Sequence, residues 1–407
     1  MDQQEQAFLS AAFGVGDERL QRRLLVGFHL IRDCCRIVDD PDWVPRVRVA
    51  KNALEHALAN GTFAPDDLEL AALRGLLGAL DSDKPHRAAV CSALVAYGEA
   101  LYRENSLPAT LAAFDVLDQL WTPACQPRDR LEAAYYQGMT LVRGRYAREA
   151  SSYMPLLLAL RARAAGDVEY IALAGIVHLS RTMYSGNIAL GLREAEKRLR
   201  QLQHHPSLRA EGNFLHNIAA AHGRVGRTHE TLRIADGLLD GRYHPSATFG
   251  ALDLIGVAFV VLGDLDAARA AFEMMLLAPY SGLRRHAALG LMNIHARRME
   301  RREFEQIHRY LDSQPLEIDI RIDFFLTAGR GWEKLGDLSR ARAAFDEAYQ
   351  LARECGLGYE IFKTEELIGS LSDPPPLSRP AEIAPDVAAH VSAMRDQHAN
   401  EIAACLA

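Results

Sequence analysis

The side chains able to do chemistry are spread along this chain, and their spacing limits what they can build. Asn213 and Asn217 lie four residues apart, so on a helix both amides project from one face, where they could pair with an extended backbone. His216, His222 and His229 are six and seven apart, which puts them on different helical faces, and His204-His205 falls in a loop signal. There are fifteen histidines, so short spacings arise by chance. No HExxH and no paired CxxC occurs, and no metal site is expected. GxxxxGK[ST] and GxSxG are also absent, which removes the commonest nucleotide and acyl-transfer signatures. Gly14-x-Gly16 has neither a preceding strand nor a third glycine and reads as a turn. Cys34-Cys35 sits in an apolar helix and reads as core rather than nucleophile. Seven arginines between Arg284 and Arg309 could hold phosphate or an acidic partner. Interleaved Glu300, Glu303 and Glu305 make the plainer reading a solvated face with pairs such as Glu305–Arg309. The expectation is a non-enzymatic protein with no cofactor.

Composition bounds the rest. The 407 residues are 24% charged and 49% hydrophobic, ordinary for a globular or repeat protein. Ala, Leu and Arg are abundant and β-branched runs are few, which favours an all-α fold. The net charge of −7 gives no support for nucleic-acid binding. No stretch reads as a membrane helix, and the N-terminus lacks the basic and apolar regions of a signal peptide. The six scattered cysteines read as free thiols, so a cytoplasmic location is expected.

The elements that must position these side chains are helical hairpins. Phe325, Gly329 and Trp332 share one helical face; Gly336-Asp337 makes a turn; Ala341, Phe345 and Ala348 lie along a second helix. A glycine inside a helix costs up to ~1 kcal/mol against Ala, which is tolerable where a neighbouring helix comes too close for a side chain. Leu252, Ile255, Gly256, Phe259, Gly263-Asp264, Ala268 and Phe272 repeat the offsets. Gly98 with Phe114, Gly138 with Ala150, and the turn glycines Gly186 and Gly226 mark weaker copies, and the unit near His286–Leu311 is out of phase. The pattern resembles the tetratricopeptide repeat family, at a period of about 34 to 41 residues. The proline that often closes that family's unit is replaced by Arg353.

The resemblance implies an α-solenoid of tetratricopeptide-like hairpins in a right-handed superhelix. Residues 1–85 are expected to be a helical cap or degenerate repeats, and 86–372 the repeat array. Residues 373–385 read as a Pro-rich linker, and 386–407 as an amphipathic helix. That last helix is expected to pack back on its own array or on a second copy of the chain; the sharper alternative is a detachable plug in the groove. Carried onto this sequence, the family's groove-facing positions give Tyr102, Arg103, Tyr135, Tyr136, Arg143, Arg181 and Tyr184. They continue with Asn213, His216, Asn217, Arg224, Arg330 and Lys334, beside Glu99, Asp253 and Glu333. Aromatic rings with Arg and Asn suit a protein or peptide partner in the concave groove. The amide pair is similar to the asparagines of bacterial peptide-pheromone receptors. The expected role is a scaffold or adaptor, the alternatives being a peptide or small-ligand sensor and a self-associating structural protein.

Overall fold

The structure is a computed structural model that describes residues 18–37, 44–63, 67–81, 86–104, 106–143, 154–202, 207–314, 316, 318–371 and 384–406. Pro374-Pro375-Pro376, Gly14-x-Gly16, Ala150 and His204-His205 lie outside the described residues, as does the Tyr184 side chain. Among the described residues there are twenty helices and no strand. The chain divides into two compact units.

Unit 1 comprises residues 1–141, 153–170 and 313–317. It holds α1 (Glu18–Ile37), α2 (Val44–Ala59), α3 (Leu68–Leu80), α4 (Arg87–Arg103), α5 (Leu107–Leu120), nearly all of α6 (Pro127–Arg143) and α7 (Met154–Ala165). Consecutive helices pack in antiparallel fashion from α1 to α5, and α1 also reaches α5. Asp67 caps α3 by accepting from the Glu69 amide at 3.2 Å. Ser106 stands at the start of α5 without a side-chain cap bond; Pro108 opens that helix. Arg23 bridges two acids inside this unit, at 2.8 Å to Glu69 and 2.7 Å to Asp67.

Unit 2 comprises residues 142–152, 171–312 and 318–407. It begins in α8 (Val168–Tyr184) and continues through α9 (Ile188–Leu202), α10 (Leu208–Arg224), α11 (Thr228–Asp236), α12 (Pro245–Leu262) and α13 (Leu265–Met275). Then follow α14 (Ser281–Arg297), α15 (Arg301–Asp312), α16 (Ile318–Lys334), α17 (Leu338–Cys355), α18 (Gly358–Ser370), α19 (Pro385–Gln397) and α20 (Ala399–Leu406). Helices pair in sequence, and the first helices α10, α12, α14 and α16 also touch one another in turn. This is the contact pattern of a helical repeat array.

The glycine–phenylalanine spacing has a direct physical cause. A Cβ on Gly256 would sit 2.6 Å from the Phe272 ring, and one on Gly98 would sit 2.5 Å from Phe114. Gly329 faces Phe345 in the same way. The helices approach until only hydrogen fits, and the ring fills the seam. Gly186, Gly226, Gly263 and Gly336 turn the hairpins with φ of 88°, 77°, 87° and 81°. In the out-of-phase hairpin this position is Met299, at φ 60°. There the glycine signal is missing although the turn is present.

Three expectations need correction. The apolar helix α12 is long and apolar enough to cross a membrane by length and composition, although no such stretch was expected. Its Leu252, Ile255 and Phe259 are buried in the core of unit 2, as in the central helix of a packed array. The C-terminal helix packs back on its own array, as first expected, and the alternative of a detachable plug is what needs correction: α19 lies on the second helices α11 and α13, with Val391 fully buried and Val387 and Met394 against the same core. His390 Nδ1 lies 2.8 Å from Asp236 at that seam. In the basic patch, the carboxylate of Glu305 pairs with Arg301 at 3.4 Å, while Arg309 donates to the Glu305 carbonyl.

Candidate functional site

The first helices of unit 2 form a layer whose face away from the second helices carries polar side chains at recurring positions. Counted back from the turn, Asn213, His286 and Asp323 occupy one level, with His216 and Asp253 one level on. Arg330 follows, and Arg224, Arg297 and Lys334 stand nearest the turns. A turn at the equivalent position, whether glycine or Met299, fixes the register of each hairpin.

Helix α18 lies against this face. A Cβ on Gly358 would sit 3.1 Å from the Ser185 carbonyl, and one on Gly186 would sit 3.5 Å from the Tyr359 amide. Helix α18 thus meets the α8–α9 turn of unit 2. Arg224 stacks over Tyr359 at 4.9 Å and lies 3.7 Å from Glu360, and Lys363 lies 5.9 Å from the Tyr359 ring.

Charges of both signs are brought close here, and beyond the Arg224–Glu360 pair some are left without a close partner. Asp253 and Lys363 are half-buried, and among the described residues neither makes a hydrogen bond or a close ion pair. Burial pushes the Asp253 carboxyl up; His286 opposes this and Asp323 adds to it. Burial pushes the Lys363 ammonium down, with Asp323 working against that and Arg330 with it. Glu360 is 8% exposed and its carboxyl is raised by burial, countered by Arg224. The Arg297 guanidinium is lowered by burial and by the nearby charge of Arg330. His216 is pushed down to about 4 by burial and by His286. Its Nδ1 is buried without a partner, and its ring lies where a Cβ on Gly250 would be 2.9 Å away.

The residues expected to face a groove have diverse surroundings. In unit 1, Tyr135 and Tyr136 are 6% and 4% exposed, and Tyr136 stacks at 6.1 Å on Phe114 and lies 5.0 Å from Tyr102. Little of either buried ring is left for a partner. Arg103 is tied to Glu99 one turn back. In unit 2, Arg143 and Arg181 are half-buried. Asn217 donates to the Asn213 carbonyl at 2.8 Å and accepts from Ser180 at 3.4 Å, so its amide is already engaged. Arg330 and Lys334 are exposed. His286, Asp323, Tyr359 and Lys363 join the site without having been expected. The first two repeat an offset from the turn; the last two stand on a helix that carries no repeat signature.

Among the described residues, no group of three or more His, Cys, Asp or Glu side chains is disposed to hold a metal ion. No known protein-family profile matches the chain, and no curated protein is similar to it in sequence.

Proposed function

We propose that the helix pairs are tetratricopeptide-like repeats in a right-handed superhelix. On this reading unit 2 binds a short peptide on its first-helix face without catalysing a reaction. The observation that carries the reading is the pair Asp253 and Lys363: ionisable, partly desolvated and, among the described residues, without a hydrogen bond or ion pair. Desolvating a charge without pairing it is costly, so chains normally pair such groups. A face that keeps them apart is arranged for charges supplied from outside. Because Tyr359 and Glu360 close over the same face, a short extended ligand suits it better than a folded partner. The protein would then serve as a peptide-responsive adaptor or sensor.

The test is a comparison of stability with binding. Asp253→Asn should raise stability by ~0.5–2 kcal/mol in urea denaturation, because a site residue is held against its own preference. The same variant should retain a degenerate peptide mixture more weakly than wild type in equilibrium dialysis. A structural Asp253 gives the reverse: lower stability and unchanged retention.

A further inference from the structure

Along the first helices of unit 2, Asp253 lies deeper than Arg330, Arg297 and Lys334, which stand toward the turns with Glu333 among them. The acidic pole is Asp253 on α12, with His286 acting on it from α14. The basic pole is Arg297 on α14 together with Arg330 on α16, two guanidinium groups close enough for one to depress the other. Arg297 spends its Nε on the neutral Asn293 amide at 3.3 Å, so its charge is not cancelled there. Arg330 has no hydrogen bond or ion pair among the described residues. Glu360 and Arg224 form an ion pair at 3.7 Å, whereas Asp323 acts on Lys363 only from beyond ion-pair reach. Measured from the turns, Arg330 lies four residues and Arg297 eight residues beyond the level of Asp253, so the poles are ~6–12 Å apart along the axis. Between them Val257 is 51% exposed, one helical turn past Asp253, and Val261 is 62% exposed one turn further.

We infer that the ligand is zwitterionic: a short peptide with a free α-amine and a free carboxylate. The amine sits at Asp253, the carboxylate at Arg297 and Arg330, and an apolar side chain on Val257. An ammonium supplies the charge and donors that an unpaired carboxylate lacks. A carboxylate between two guanidiniums relieves their repulsion and accepts from both. The poles also stand on different helices, neighbours being ~8–10 Å apart, so a span of roughly 12–18 Å takes about three to five extended residues at ~3.3–3.6 Å each. This rests on the peptide-binding reading above and adds the requirement for both charged ends.

The experiment uses full-length protein and a degenerate mixture of tri- to pentapeptides. The mixture is presented with free ends, N-acetylated or C-amidated, and retention is read by dialysis and mass spectrometry. Free-ended peptides should be held at least tenfold better than either capped form. Asp253→Asn should bind free and acetylated peptides alike, and Arg330→Gln should bind free and amidated peptides alike. Circular dichroism checks that both variants are folded. Retention that ignores capping overturns the zwitterion inference and leaves peptide binding standing. If wild type retains no form, or if both variants retain all forms as wild type does, the peptide-binding reading falls and the inference with it.

Discussion

A single methyl group has opposite effects at different glycines of this chain. At Gly329 a Cβ would drive into the Phe345 ring. Gly329→Ala should therefore cost ~1–3 kcal/mol by overpacking, despite the better helix propensity of Ala. Gly75 on α3 meets nothing within 4 Å, and Gly75→Ala should add up to ~1 kcal/mol. Met299→Gly should stabilise by ~1 kcal/mol, since it relieves a left-handed conformation that an L side chain resists. Urea midpoints of the three variants check all three signs. His216 gives a pH signature. Unfolded, it takes up a proton near pH 6.5; folded, it does so only near 4. In that window the unfolded chain binds more protons, so this stabilisation is whole above pH 6.5 and falls as pH drops toward 4. His216→Gln should flatten that part of the urea-midpoint profile.

Hairpins were the most legible elements in the sequence, because each is signalled by two features that physics makes rare elsewhere. One is a glycine inside a helix opposite a Phe; the other is a glycine at positive φ between helices. Both are found at Gly256 with Phe272 and at Gly263. Met299 makes its turn without glycine, which is why the hairpin around it was out of phase. The site was less legible. Asp253 and Arg330 could be placed by register, but the roles of Tyr359, Glu360 and Lys363 depend on where α18 crosses the layer, and no local pattern encodes that. Tyr135 and Tyr136 occupy register positions that look outward in sequence, yet both are buried, Tyr136 against the rings of Tyr102 and Phe114 and Tyr135 against Tyr136. At α19, Val391 is fully buried on the second helices, so Val391→Ala should cost ~1–3 kcal/mol. Truncation after residue 383 should raise the binding of an apolar dye, which reports uncovering of the α13 surface.

With two compact units, unfolding of the whole chain should not be two-state. Calorimetry should resolve two transitions, and the two units carry different titrations. Glu69 in unit 1 is 1% exposed and its carboxyl is raised to about 7, first by burial, against the pull of Arg23. Its folded pKa lies above the unfolded value of 4.5, so its contribution is full below pH 4.5 and is lost as pH rises through 7. Glu69→Gln should change the pH dependence of one transition and leave the other in place.

The meeting of Ser185–Gly186 with Gly358–Tyr359 also sets an order of events in time. The hairpins of unit 2 are made of near neighbours and can form quickly from any starting point. That one contact joins chain segments roughly 170 residues apart, so it can close only after the intervening helices have stacked. Refolding should accordingly run in two stages: rapid gain of helix, then a slower arrest of α18. Until the second stage is complete, a protease should cut near Gly356, and afterwards it should not.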